Sequence, residues 1–277
     1  MLSDTRLLAL LAQDAPHGDL TTAALGIGAC SGVIRDAARE AMTLACGEEA
    51  ARMLDLVGAR PDLCRPDGSR LAAGEVFLTA TGPAAALHLA WKVSQTLVEY
   101  ASGIASRTAA IVAAARTANP AIAVACTRKN FPGSKDIAIR AVAAGGGRMH
   151  RLGLSETLLV FAEHRAFLGA DPAAAMATLR AREPERRLVV EVATPDEALA
   201  MAAAGAEALQ LEKFPPEQVA EVVARTQHLV PLPLVIAAGG VTEANAAAYA
   251  ATGCGLLVTS APYFAPPRDV AVRLGPA

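Results

Sequence analysis

Between positions 128 and 151 the chain carries six basic side chains, Arg128, Lys129, Lys135, Arg140, Arg148 and Arg151, together with His150 and a single acid, Asp136. Over all 277 residues acids slightly outnumber bases, 27 Asp and Glu against 25 Lys and Arg, so the excess is local. A solvated helix face interleaves the two signs, and this segment does not. Glycines at Gly133 and at Gly145-Gly146-Gly147 break up the segment, and they let backbone N–H groups approach a bound anion. Arginine adds a planar fork that holds a carboxylate or phosphate through two hydrogen bonds. The segment reads as an anion site.

Two more groups extend that chemistry. Glu191 lies inside the apolar run Leu-Val-Val-Glu-Val-Ala, and Glu212 closes Ala-Leu-Gln-Leu-Glu. A carboxylate in an apolar strand is costly unless it faces a polar lumen and finds partners there. On successive strands the two suit one shared centre, holding sugar hydroxyls or Mg2+ or stabilising positive charge that develops on a sugar. The alternative is a structural ion pair with nearby Arg and Lys. The third group is Ala238-Gly239-Gly240, ahead of a helix expected to be capped by Thr242. Such a junction cradles phosphate on N–H groups, and Thr259 and Ser260 at the end of the next strand complete it. The three groups together describe a multiply phosphorylated or carboxylated ligand of the sugar-phosphate kind, which several barrel enzymes would accept.

The elements that must position these residues follow from the rhythm of the chain. From Gly28 to about Thr81 short apolar runs are broken at Asp67-Gly68, Gly74 and Gly82, which predicts a small antiparallel sheet. A long helix is expected from Ala84 to Thr117, with a break near Ser102-Gly103. Beyond it, β-branched runs at 121–127, 157–161, 188–193, 208–212, 233–239 and 255–260 alternate with Ala-rich helices that open on a cap or a Pro. A short strand near Gly-Gly-Gly-Arg-Met-His-Arg brings the count to about seven. This is a parallel α/β pattern, and it does not separate a barrel from a doubly wound sheet. In either, functional groups collect at the C-terminal strand ends, where all three clusters fall.

Composition excludes other classes. A slightly negative net charge of -2 argues against nucleic acid as the partner. No apolar run reaches the roughly 18–20 residues of a membrane span. The start, Met-Leu-Ser-Asp-Thr-Arg, lacks the basic opening of a signal peptide and reads as an amphipathic first helix. Cys30, Cys46, Cys64, Cys126 and Cys254 show no Cys-x-x-Cys spacing, as expected for reduced thiols in a cytoplasmic protein.

The residues from Ser102 to Leu154, containing Thr-Arg-Lys-Asn-Phe-Pro-Gly and Gly-Gly-Gly-Arg-Met-His-Arg-Leu-Gly-Leu, resemble the signature of the quinolinate phosphoribosyltransferase family. Asp-Ala-Pro-His-Gly-Asp-Leu-Thr-Thr near the start, the Glu191 strand and Gly239-Gly240 follow in the family's order, so the resemblance covers nearly the whole chain. Ala-Trp-Lys-Val-Ser-Gln-Thr and Leu-Val-Phe-Ala-Glu-His-Arg-Ala-Phe-Leu look like its ModD branch, which is associated with molybdenum transport genes. The resemblance implies an N-terminal α/β sandwich over 1–105 and an incomplete α/β barrel of about seven strands over 106–265. A tail, 266–277, returns to the first domain. It also implies a homodimer with active sites at the interface, assembly beyond the dimer staying open. The implied reaction takes quinolinate and phosphoribosyl pyrophosphate (PRPP), with Mg2+, to nicotinate mononucleotide, CO2 and pyrophosphate.

Carried over by position, Arg128, His150 and Arg151 match the residues that grip substrate carboxylates, and Lys129 matches a cation at the reaction centre. Glu191 and Glu212 match acids that hold ribose hydroxyls and metal, the family having Asp at the latter. Gly239 and Gly240 match the 5′-phosphate loop; Ala238 and Ser260 stand beside it as candidates, and Thr259 takes the place of a family Gly. Other positions depart. Phe161 stands where the family has a substrate lysine, and Ala162 where it has an acid. Lys92 replaces an interface arginine, and Ile236-Ala237 replace a Glu-Ser pair. A dicarboxylate site that loses a cation leaves charge unpaired, at about 2–5 kcal/mol, so the acceptor expected here is quinolinate or a related N-heterocyclic carboxylate. Two other classes stay open: a non-catalytic anion-binding protein linked to molybdenum, and a Schiff-base lyase using Lys129 or Lys213.

Overall fold

The computed structural model describes residues 1–168 and 171–277, which divide into two compact units. The first unit comprises Met1–Ala109, Phe131–Gly146 and Pro262–Ala277. Its four-stranded antiparallel sheet runs in the order Val270–Pro276, Ser31–Ala38, Val76–Pro83, Arg60–Leu63. Val33 pairs with Gly275 on one side and with Thr81 on the other. The opening helix, Asp4–Asp14, is capped by the Ser3 hydroxyl, which accepts from the Arg6 N–H, and it buries Leu7 and Leu11. This is the amphipathic helix that the sequence suggests. No helix among the described residues is long and apolar enough to cross a membrane.

The sheet region also holds a helix, Gly47–Leu56, that strand punctuation hides. Glu48 and Glu49 occupy its first turn, where the helix dipole favours acids. Glu49 is fully buried and binds Arg140 Nε at 2.9 Å, while Glu48 and Asp67 reach Arg140 Nη2 at 2.7 and 3.5 Å. The charge of Arg140 is thus neutralised by three acids inside this unit. Asp136 likewise binds Arg6, at 3.0 Å. Both leave the anion cluster to which the linear sequence assigns them.

The helix Ala84–Ala118 runs without the expected break at Ser102-Gly103. Gly103 serves proximity instead: a Cβ there would lie 2.4 Å from the Pro266 carbonyl oxygen, so only glycine lets that backbone come so close.

The second unit comprises Ala110–Asn130 and Gly147–Ala261. Among its described residues seven parallel strands form one sheet, ordered Arg148–Met149, Ala123–Cys126, Leu256–Thr259, Leu234–Ala238, Ala208–Glu212, Leu188–Val192, Leu158–Val160. The two outermost strands are not joined, so the barrel is incomplete, as the family resemblance implies. Helices Pro172–Arg182, Pro195–Ala203 and Pro216–Thr226 each begin on a proline, whose fixed φ and missing N–H suit a first turn. Asp171 and Thr194 cap the first two.

Strand alternation sorts the core into two layers. Leu188, Val190, Val192, Leu209, Leu211, Val235, Ala237 and Leu257 belong to the cluster that packs with helix residues such as Ala198 and Val219. The intervening positions Val189, Ala208, Ile236, Ala238 and Val258 form a separate cluster with Ala125 and Leu159. Glu191, Gln210 and Glu212 share the parity of this second set.

Asp36 is the anomaly of the first unit. It is 2 % exposed in the strand Ser31–Ala38, its Oδ1 has no hydrogen-bond partner, and burial pushes its carboxyl up to about 7. A raised carboxyl pKa means the folded chain keeps a proton that the unfolded chain loses. Stability therefore falls as pH rises from about 4 to about 7 and is level above. Asp36→Asn should raise unfolding free energy by ~2–4 kcal/mol at pH 8 and by little at pH 4. Denaturant titrations at the two pH values check this, and an equal effect at both would remove the assignment.

Candidate active site

At the C-terminal ends of the strands a cavity of about 410 Å3 opens in the second unit. It is lined by Arg128, Lys129, His150, Arg151, Phe161, Glu191, Glu212, Ala238, Gly239, Thr259 and Ser260, so most of the candidates named from sequence converge. Lys92 lies in the first unit, exposed, with Nζ 4.4 Å from the Trp91 ring centre and 3.1 Å from Gln95 Oε1. Gly240 follows the lining residue Gly239.

Backbone bonds set the cationic wall. The Thr127 N–H donates to the Thr259 carbonyl and the His150 N–H to the Cys126 carbonyl, each at 2.9 Å, extending the sheet pairing past the strand ends. Arg128 and Arg151 project just beyond these anchors. Arg151 is 5 % exposed, yet among the described residues no carboxylate lies within ion-pair distance of it, of Arg128 or of Lys129. Burial, and then the charge of Arg128, pull the Arg151 pKa down. Burial, and then Arg151, also hold His150 below its ordinary value, which favours a neutral imidazole at neutral pH. The Arg151 guanidinium sits 5.5 Å from the centre of the Phe161 ring, within cation–π range. Phe161 in turn stacks on His164, with centroids 5.6 Å apart at 16°, and its N–H donates to His164 Nδ1.

The acidic wall comes from two neighbouring strands. Residues 191 and 210 are in register, and Gln210 Nε2 donates to Glu191 Oε2 at 2.7 Å. Burial raises the Glu191 carboxyl above its usual range; the Gln210 hydrogen bond and Arg165 oppose that, while Glu212 and Glu163 add to it. Glu212 packs on the glycine loop: a Cβ on Gly239 would stand 2.8 Å from Glu212 Oε1. Gly239 also adopts φ 82, which other residues resist.

The loop after Gly239 differs from expectation. The helix there spans Ala246–Ala250 with Asn245 at its cap position, and Asn245 Oδ1 accepts the Thr242 N–H. Thr242 therefore sits in a turn and does not cap the helix. The Thr259 hydroxyl donates to the Val241 carbonyl at 2.6 Å and so braces the loop. Lys213 is exposed and does not line the cavity. Gln210 also lines the cavity, and its signal in the sequence is its place two residues before Glu212 in an apolar strand, hence on the same face.

Two family models match the chain: quinolinate phosphoribosyl transferase, C-terminal domain, over residues 104–273, and the N-terminal domain of the same family over residues 19–102. The chain is 55% identical over 253 residues to “Putative pyrophosphorylase ModD” of Rhodobacter capsulatus, covering 89% of this chain and 95% of that protein. It is 37% identical over 195 residues to nicotinate-nucleotide pyrophosphorylase (carboxylating) of Mycobacterium leprae, covering 70% and 68%. The crystal structure of NadC from Streptococcus pyogenes aligns with a TM-score of 0.92 at 25% identity, covering 100% of this chain and 99% of that one.

A buried cation without a carboxylate partner is a liability to the fold and an asset to an anion site. Arg151→Met keeps length and contact with Phe161 while removing the charge. It should weaken inorganic pyrophosphate binding tenfold or more, on the order of 1.4 kcal/mol, and leave Tm unchanged or higher. Calorimetry and thermal melts read both; a lower Tm with unaltered pyrophosphate binding would make Arg151 structural.

Proposed function

The chain belongs to the quinolinate phosphoribosyltransferase family, and from that premise we propose that it transfers phosphoribosyl from PRPP to the ring nitrogen of a planar heterocyclic carboxylate. One observation carries this reading. The cavity holds cations and carboxylates that do not pair with one another, so its ligand must answer both. PRPP with its acceptor does: Lys129 meets the leaving pyrophosphate, Arg128, His150 and Arg151 meet the acceptor carboxylate, and Glu191 and Glu212 meet the ribose hydroxyls.

In the transfer, the bond from C1′ to the pyrophosphate oxygen breaks and the electron pair leaves with pyrophosphate. The lone pair of the ring nitrogen then forms the bond to C1′. Positive charge grows on the ribose between these events, and carboxylates held in a low-dielectric lumen stabilise it. Cations placed at the leaving group stabilise the departing charge. Mg2+ travels with PRPP as part of the substrate. Among the described residues no three His, Cys, Asp or Glu side chains converge as a metal site. Glu191 and Glu212 fit an ion that takes one or two carboxylates from protein and the rest from phosphate and water.

The acceptor differs from quinolinate in this reading. Phe161 offers a ring face beside Arg151, where a second acceptor carboxylate would want a cation. A heterocycle with one carboxylate fits that wall better.

The test is calorimetry with PRPP and Mg2+, followed by quinolinate. We expect micromolar to millimolar PRPP binding and weaker quinolinate binding. Absence of PRPP binding at millimolar concentration overturns the transferase reading, and binding of oxyanions alone would then favour a non-catalytic role. Phe161→Lys should raise quinolinate affinity about tenfold, or 1.4 kcal/mol; no rise would sink the account of the acceptor wall.

A further inference from the structure

We propose that Gln210 is a positioning residue, whose amide holds the Glu191 carboxylate in the orientation that receives the ribose of PRPP. The inference rests on the transferase reading and assigns a role to a residue which that reading leaves unused.

Gln210 sits in the strand Ala208–Glu212, between the Glu191 strand and the strand Leu234–Ala238. It is 5 % exposed and lines the cavity. Its Nε2 donates to Glu191 Oε2 at 2.7 Å. Its Oε1 is buried and has no hydrogen-bond partner. That asymmetry is informative. An amide that served only to fill the core would find a donor for its oxygen, since an unsatisfied buried acceptor is costly. The reverse orientation would set the amide oxygen against a carboxylate oxygen, acceptor against acceptor. The amide therefore stands as the carboxylate requires, and the uncompensated oxygen is the consequence. One Glu191 oxygen is engaged by the amide, and no described side chain binds the other. The carboxylate thus presents a fixed face to the cavity beside Glu212 on Gly239.

A structural role and a positioning role predict opposite results. Gln210→Met removes both amide groups and keeps the length and apolar packing of the side chain. The exchange removes the unsatisfied amide oxygen, a gain, and leaves Glu191 Oε2 without its donor, a cost that cavity solvent offsets because Glu191 is only half-buried. We expect Tm of the full chain to be unchanged, while calorimetric affinity for PRPP with Mg2+ falls on the order of tenfold to a hundredfold and affinity for inorganic pyrophosphate, a probe of the cationic wall, stays constant. Gln210→Leu provides a second apolar replacement and should give the same pattern. A Met variant with lower Tm and unaltered PRPP affinity overturns the proposal, because Gln210 would then belong to the core. A variant that loses pyrophosphate and PRPP affinity equally also overturns it. If the wild-type chain binds no PRPP, the transferase reading fails instead, and the two failures are told apart by that control.

Discussion

Opposite charges kept from meeting are the constraint on which the second unit depends. In an ordinary interior Arg151 and Glu191 would collapse into an ion pair with its own hydrogen bonds. Here parallel strands carry them to one end of the sheet and fix them on different walls. Arg128 and Arg151 follow strands anchored by the Thr127 and His150 N–H groups. Glu191 and Glu212 sit on adjacent strands, one held by Gln210 and the other lying on Gly239. The backbone of neither wall can shift toward the other without breaking sheet hydrogen bonds. The cost is burial without an opposite charge: desolvation first, and like-charged neighbours after it, raise the Glu191 carboxyl and depress His150 and Arg151. A ligand with anionic and hydroxyl-bearing ends relieves both strains at once, which is how preorganised charge contributes to catalysis.

The same contrast explains the make-up of the sheet. Its outer face carries Leu and Val against helices, while the inner face below the cavity is filled by Ala208, Ala125, Ala238 and a few branched residues. The inner layer closes the lumen beneath the site, so the polar groups above it face a floor that admits no partners of its own. Helices that begin on Pro172, Pro195 and Pro216 close the outer layer.

Much of this was legible in the chain. A carboxylate inside an apolar strand signals a polar lumen, and Glu191 and Glu212 obey that rule. Bases without acids between 128 and 151 signal an anion site, and four of the seven basic or imidazole groups there line the cavity. Arg140 shows the limit. Its partners Glu48, Glu49 and Asp67 lie far earlier in the chain, and local charge counting cannot see them. Gln210 escaped for another reason: a neutral amide gives no cost signal until its neighbour is known to be a carboxylate. Glycine lowers helix propensity, so Gly103 suggests a helix break, whereas close approach of Pro266 is what requires it. The helix Gly47–Leu56 was masked by the turn residues around it.

The strand Val270–Pro276 carries a consequence for the order of events in folding. It lies beside Ser31–Ala38, so Val33 meets Gly275 across nearly the whole length of the chain. Contacts of such separation are slow to form, because the loop they close must first lose its freedom. On a ribosome the first sheet waits with Ser31–Ala38 exposed along one edge until the last strand emerges, and the seven-stranded sheet, complete by Thr259, has every strand available sooner. An exposed strand edge invites pairing with other chains. The unit made first is thus the one finished last, and its nascent form is the stage at which chaperone contact would matter most.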